Sequence, residues 1–174
     1  MFIVGDFVQA HIATMNEIIR VDVDYLLYLL NNVYANECNG HDVKKKNLPW
    51  NKVSNLRGNV IKIQCGLNVS AILTTVGVYT MGDKFGGVTP QLVELANVTD
   101  ISMKNMHILA LTTSGEVYAW GDNSFGQCGV GSNDDWIDTP TRVIVDEPTR
   151  NTEDYNIFIS AGRNYSLVKF AQKS

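Results

Sequence analysis

The side chains most able to do chemistry are three histidines and three cysteines. Glu37, Cys38 and His41 lie close together in sequence and could share a metal ion, but zinc sites use spaced pairs of Cys and His ligands. The sequence contains no Cys-x-x-Cys pair, and no Ser/His/Asp order, activated cysteine or pair of carboxylates stands out. We therefore predict no metal, no cofactor and no catalytic residue, and hence a protein that is not an enzyme.

Two glycine-rich segments, residues 82–87 and 126–131, invite comparison with loops that bind phosphate. A P-loop ends in Gly-Lys-Ser/Thr, and neither segment does. Glycine is also the default residue of tight turns. Both segments are therefore interpreted as turns.

An acidic loop at residues 132–138 is the best candidate for an interaction site. It places Trp136 among the three acids Asp134, Asp135 and Asp138. Tryptophan is a favoured anchor of protein interfaces because it buries a large area at a low entropic cost. The alternative is that Trp136 folds back onto its own sheet. A second polar loop, residues 146–154, is either a spacer or a further contact site.

Composition then limits the class of protein. The chain has 174 residues, 45% of them hydrophobic, and a net charge of −4, which predicts one globular domain over residues 1–174. The acidic balance argues against binding to duplex DNA or to an anionic membrane, since both need a basic face. The first residues lack the pattern of a secretory signal. An odd number of cysteines indicates a reducing compartment, so we expect an intracellular protein, cytoplasmic or nuclear.

A repeated phrase organises the chain, and its clearest copy spans residues 101–143. It predicts a strand at 108–112, a tight turn at Ser114-Gly115 and a second strand at 117–120, followed by the glycine loop. A second copy covers 63–93, and 159–172 is the first half of another. Leucines of these copies are predicted to lie in the core. They are Leu73, Leu109, Leu111 and Leu167.

A weaker copy covers residues 19–53, although residues 17–35 alone could also be read as an amphipathic helix. The order of its parts favours the repeat. Residues 2–6 are similar to 118–122, which predicts that residues 1–9 supply the strand that the last copy lacks. The chain would then hold about four units without an exposed sheet edge.

The phrase resembles the repeat of the regulator of chromosome condensation family, with Cys128 in place of a leucine and Lys104 in place of the first glycine. The resemblance implies an all-β fold, a small β-propeller of about four blades closed by the N-terminal strand. The family's propeller has seven blades, so the alternative is an open arc that a partner completes. The resemblance also implies structural roles for the matching residues. These are His107, Gly115, Tyr118, Trp120, Gly121, Asn123, Gly126 and Gly129.

Taken together, these features predict a non-enzymatic module that binds other proteins, with neither nucleic acid nor membrane among its partners. It could be a scaffold or structural component of a larger assembly, including a virus particle. The family suggests one alternative, guanine-nucleotide exchange on a Ran-like small GTPase. Chromatin binding would need a basic tail, which the sequence does not contain.

Overall fold

The structure is a computed structural model that describes residues 10–14, 17–21, 26–29, 32–35, 51–67, 69–145 and 154–173. The chain divides into two compact units, Met1–Leu92 and Val93–Ser174. All the elements described are strands or turns, and every paired strand is antiparallel. The all-β class predicted from the sequence is therefore confirmed.

The first unit contains three antiparallel sheets among its described residues. The first sheet pairs β1 (Ala10–Thr14) with β2 (Glu17–Val21), and the second contains β3 (Leu26–Leu29), β4 (Asn32–Ala35) and β5 (Asn51–Lys52). The third contains β6 (Val60–Cys65), β7 (Val69–Thr74), β8 (Gly77–Gly82) and β9 (Gly87–Leu92). Strands β2, β3 and β4 lie where a helix over 17–35 was the alternative, so that alternative is wrong.

The β6–β9 sheet of the first unit is buried on both sides of β7, and one buried cluster lies on the side of Ile72. Register pairs Ile63 with Ile72 and Ile72 with Tyr79, so these side chains form one cross-strand row. Val53, Cys65 and Met81 complete the buried cluster. Leu73, on the opposite side of β7, is 1% exposed, which confirms its predicted place in the core.

The second unit contains a four-stranded sheet and a hairpin. The sheet contains β10 (Val98–Lys104), β11 (His107–Thr112), β12 (Val117–Asp122) and β13 (Trp136–Arg142), and the hairpin contains β14 (Tyr155–Ala161) and β15 (Ser166–Gln172). The predicted turn between β11 and β12 is present. Gly115 has φ +81 there and donates its N–H to the carbonyl of Thr112 over 3.0 Å, a conformation that other residues adopt only with strain.

The hairpin packs against strands β10 and β11 of the sheet. The N–H of Ala161 donates to Ser102 Oγ over 2.9 Å, which fixes β14 above β10. Ser102 is opposite Leu109 in the register, so Leu109 lies on the side of the sheet that the hairpin covers. Leu109 is 0% exposed, as predicted for the core, whereas Leu111 on the same side is only half-buried.

The prediction that Leu167 lies in the core is wrong, because its side chain is 58% exposed. Successive side chains of a strand point to opposite faces. Ser166 points toward the sheet, where its hydroxyl meets His107, so Val168 shares that inner side and Leu167 faces outward. Repeat matching located the strand correctly but did not show that the hairpin has only one covered face.

Within the part of the chain that the structure describes, no helix is long and apolar enough to cross a bilayer. Residues 2–6 and most of the loop at 146–154 lie outside the described residues, as do Glu37, Cys38 and His41.

Candidate functional site

The end of β12 is shaped by Gly121. Its φ is +101, and a Cβ at this position would collide with the carbonyl oxygen of Met106. The absence of a side chain lets the two backbones approach, and the N–H of Asp122 donates to that same carbonyl over 2.9 Å. Trp120, just before the glycine, is buried. This close approach positions the loop that follows β12.

Asn123 holds the loop between β12 and β13 together. Its Nδ2 donates to the carbonyl of Asp134 over 2.8 Å and to that of Ser132 over 3.3 Å. Its Oδ1 accepts from the N–H of Cys128 over 3.1 Å, and its own N–H donates to the carbonyl of Asp135 over 2.8 Å. One buried side chain therefore fixes both ends of the loop.

The glycines of this loop lie in consecutive turns. The N–H of Gly126 donates to the carbonyl of Asn123 over 2.8 Å, and the N–H of Gly129 donates to that of Gly126 over 3.0 Å. Both glycines have positive φ angles. Tyr118, before the loop, donates from its hydroxyl to Glu116 Oε2 over 3.3 Å.

The acidic residues of the loop lie at the surface. Asp134, Asp135 and Asp138 are exposed, and the backbone of the first two is held by Asn123. Asp134 Oδ2 also accepts from the hydroxyl of Ser132 over 2.6 Å. Trp136 begins β13 opposite Asp122 and is half-buried. Three exposed carboxylates therefore lie within three residues of a partly exposed indole on a loop of defined shape.

Sequence reasoning missed one residue of this surface, Phe125, which is 70% exposed. Its N–H donates to Gln127 Oε1 over 2.9 Å, so the backbone that carries the ring is fixed. One sequence signal for this exposure was available, because Phe125 directly precedes Gly126, a glycine whose positive φ forms a turn there. Phe125 is therefore added to the candidate interaction residues.

His107 is completely buried and takes part in a short hydrogen-bond chain. The hydroxyl of Ser166 lies 2.7 Å from the carbonyl of Gln127 and 3.1 Å from His107 Nε2. The hydroxyl has one hydrogen, which it donates to Gln127, so its oxygen accepts from Nε2–H. The backbones of Lys104 and Tyr165 also lie against the His107 side chain, and hydrogen bonding to them, like the Asp122 carboxylate, favours the charged imidazole.

Burial also determines the protonation of these groups. Desolvation lowers the pKa of His107 below its ordinary value, although the nearby Asp122 carboxylate opposes this shift. Desolvation, and secondly Asp122, raises the pKa of the Cys128 thiol to about 12. Cys128 is therefore a protonated thiol at neutral pH, unsuited to nucleophilic chemistry. In the described ranges, no group of three His, Cys, Asp or Glu side chains is arranged to hold a metal ion.

We predict that acid destabilises the protein through His107. The folded state holds the imidazole neutral, whereas the unfolded chain takes up a proton near the ordinary pKa of 6.5. The unfolded state then binds more protons, so the free energy of unfolding falls as the pH drops through that value. Thermal melts between about pH 7.5 and about pH 5.5 measure this loss. His107→Gln keeps an N–H for Ser166 but does not titrate, so its melting temperature should change less. Parallel profiles for the two proteins would contradict the prediction.

Two sequence profiles of the regulator of chromosome condensation (RCC1) repeat match the second unit, over residues 98–127 and 114–168. The X-linked retinitis pigmentosa GTPase regulator homolog of Caenorhabditis elegans is 38% identical over 89 residues, which are 43% of this chain and 6% of that protein. The human E3 ubiquitin-protein ligase HERC2 is 39% identical over 101 residues, which are 49% of this chain and 2% of that protein. The chain therefore spans a small part of these relatives.

The fold is similar to that of Prp20p from Saccharomyces cerevisiae, whose structure was solved with a study of its binding to Gsp1p and histones. The TM-score is 0.62 at 19% identity, and the match covers 90% of this chain and 42% of Prp20p. At this identity the likeness is one of fold, that of an RCC1 β-propeller. The second unit therefore contains repeats of the regulator of chromosome condensation family.

Proposed function

We propose that the chain is a non-enzymatic module that binds other proteins through the loop between β12 and β13. The observation that supports this most directly is that the loop has a fixed shape and exposed side chains. Asn123 fixes its shape from within, while Asp134, Asp135 and Phe125 lie exposed on it. A surface whose shape is already fixed loses less entropy on binding. Of the histidines and cysteines whose side chains the structure describes, His107, Cys65 and Cys128, all are buried.

The relatives support an interaction role rather than a shared reaction. A GTPase regulator homolog and a ubiquitin ligase carry the matched segment as a small part of much longer chains. Proteins of such different kinds share a segment more readily as a binding module than as a catalytic centre. Within this proposal, Trp136 is the anchor of the interface, and the neighbouring carboxylates of Asp134, Asp135 and Asp138 supply its charge. The partner is another protein.

The second candidate is guanine-nucleotide exchange on a Ran-like small GTPase. Two similarities favour it: one relative is a GTPase regulator homolog, and Prp20p was studied for binding to Gsp1p. Exchange factors displace the nucleotide and its magnesium with a protein wedge and acidic side chains. The acidic loop could supply such carboxylates, so the same residues serve both candidates.

One variant tests the loop and separates the two candidates. Replacing Asp134, Asp135 and Trp136 together with alanine should lower the retention of protein partners by at least tenfold, because the anchor and its charges are lost. The matched control replaces Asp83 and Glu94, two exposed acids outside the loop. Retention is measured by quantitative co-purification, and exchange by release of a fluorescent nucleotide from a Ran-like GTPase. Equal retention by the triple variant and wild type would refute the site. Faster nucleotide release with wild type, lost in the triple variant, would favour exchange.

We also propose that the protein acts inside the cell, in the cytoplasm or the nucleus, as a component of a larger assembly. A virus particle is included among these assemblies. The proteins that co-purify with the chain test this part of the proposal. Stoichiometric structural proteins would support an assembly role, and secretory or membrane proteins alone would contradict it.

The predicted ring of about four blades is proposed as the architecture, with repeat units at 19–53, 63–93, 101–143 and 159–172 plus 1–9. Its support is that β14–β15 is a pair where β6–β9 and β10–β13 are four-stranded, and that residues 2–6 are similar to 118–122. The alternative is an open arc completed by another chain, which the exposure of Leu167 favours.

Deleting residues 1–6 tests the closed ring. If these residues complete the last sheet, the melting temperature should fall sharply, because β15 loses a neighbouring strand. A length-matched variant with serine at Phe2, Ile3 and Val4 should show a similar fall. Differential scanning calorimetry gives the comparison. Unchanged melts in both variants would exclude closure by this segment and support the open arc.

A further inference from the structure

The β6–β9 sheet of the first unit carries exposed apolar side chains at one end. Ile61, next to the start of β6, and Leu92, at the end of β9, are 57% and 54% exposed. Val76, in the turn between β7 and β8, is 57% exposed. Neighbouring strands of this sheet are antiparallel and follow the chain order, so the start of β6, the β7–β8 turn and the end of β9 lie at the same end. We call Ile61, Val76 and Leu92 the apolar end.

Close contacts with the backbone hold the apolar end together. A Cβ on Gly58 would lie 3.2 Å from both terminal carbons of Val76, and a Cβ on Gly77 would lie 3.1 Å from Leu92 Cδ1. Leu92 therefore lies against the residue that follows Val76. Ile61 lies in a bulge of β6, three residues after Gly58. Neighbouring exposed apolar side chains of this kind mark interaction sites.

The β10–β13 sheet carries polar side chains at the equivalent positions. Thr99 lies in the corresponding bulge of β10, and Ser114 precedes the glycine of the corresponding turn. Arg142, at the end of β13, has the same place in the register as Leu92 on β9. Thr99, Ser114 and Arg142 are all exposed. A sheet of this repeat therefore forms with polar side chains here, so the fold does not require the apolar ones.

The exposure of the apolar end does not come from a missing copy of the repeat. The predicted copies at 19–53 and 101–143 precede and follow this sheet along the chain. The β10–β13 sheet is covered on one side by the hairpin β14–β15, and its equivalent positions are exposed all the same. These positions are thus exposed on a sheet that has a packed neighbour.

The charge around the apolar end indicates the chemistry of a partner. Arg57 is exposed one residue before the glycine that Val76 contacts, and Lys62 directly follows the bulge. From residue 43 to residue 82 the sequence contains six Lys or Arg and no Asp or Glu, although the whole chain has a net charge of −4. The first acid after the sheet is Glu94. Since complementary charge guides partners to a surface and excludes those of like charge, a suitable partner is acidic as well as apolar.

The spacing of the strands sets the size of that partner. From β6 to β9 the sheet end spans three strand spacings, which is roughly 14 Å. An extended chain rises about 3.3 Å per residue, so about four or five residues cross this distance. A stable interface between folded proteins buries about 800 Å² on each side. Three side chains therefore suit a short extended segment better than a folded surface.

We propose that the apolar end binds a short acidic segment of another protein. Apolar side chains of that segment cover Ile61, Val76 and Leu92, and its Asp or Glu side chains lie near Arg57 and Lys62. The inference rests on the proposed interaction function, but it uses a surface other than the loop between β12 and β13. Each surface can therefore fail its test without the other.

The test begins with the intact chain and a displayed library of random peptides of about eight residues, which are long enough to cross the sheet end. Peptides that bind wild type are selected, and those that also bind a variant with Ile61→Thr and Val76→Ser are removed. These substitutions install the residue types of Thr99 and Ser114, so the double variant should fold. The peptides that remain should be net acidic and rich in large apolar side chains.

Fluorescence anisotropy then measures the binding of these peptides. The double variant should bind them about tenfold more weakly than wild type. Arg57→Glu should also weaken binding, and so should added salt, because screening reduces the attraction between opposite charges. The matched control is Leu67→Ser. Leu67 is 50% exposed in the β6–β7 turn, at the opposite end of the same sheet, so this variant should bind as wild type does.

The variant with alanine at Asp134, Asp135 and Trp136 should bind these peptides as wild type does, which separates this surface from the loop. Circular dichroism checks the fold of each variant, and Leu92→Gln replaces the double variant if the latter unfolds. The proposal is overturned if no selected peptide depends on the apolar end, if the dependent peptides are basic, or if Arg57→Glu binds them as tightly as wild type.

A second copy of this chain is the competing occupant, because residues 105–141 contain five Asp or Glu and no Lys or Arg. Analytical ultracentrifugation of wild type and the double variant distinguishes it. Wild type should show no association that depends on the apolar end. Concentration-dependent association of wild type that the double variant abolishes would overturn the proposal.

Discussion

The packing of the hairpin β14–β15 onto the sheet β10–β13 is the interaction on which the second unit depends. A sheet with apolar side chains on both sides must be covered on both, and the hairpin covers the side that carries Leu109. Directional bonds fix this packing, since Ser166 links His107 to the carbonyl of Gln127. That carbonyl belongs to the loop that carries the candidate interaction residues, so docking of the hairpin and the shape of the loop are connected.

This arrangement explains why two groups that could take part in chemistry, His107 and Cys128, are not available for it. His107 is neutral and Cys128 is protonated because both were removed from water when the sheets packed. The same packing leaves the acidic residues near Trp136, which are Asp134, Asp135 and Asp138, exposed at the surface.

The sequence patterns predicted where the strands and turns lie better than they predicted which side of each strand is buried. The turn at Gly115 and the strands around it were predicted because glycine and β-branched residues have strong local preferences. Leu167 was misplaced because a strand's register does not show which of its two sides another sheet will cover. The loop acids were identified as candidates, but Phe125 was not. The shape of the backbone around it depends on the side-chain hydrogen bonds of Asn123 and Gln127, and a pattern of apolar and polar residues does not show which side-chain hydrogen bonds form.

The central claim, that face-to-face packing of the hairpin on the sheet stabilises the second unit, is tested most directly by two identical substitutions. Leu109 and Leu167 lie on the covered and uncovered sides of this arrangement. Urea unfolding should show that Leu109→Ala lowers the free energy of unfolding by about 2–5 kcal/mol, whereas Leu167→Ala changes it by less than about 0.5 kcal/mol. Equal losses in the two variants, or a larger loss for Leu167→Ala, would contradict the account.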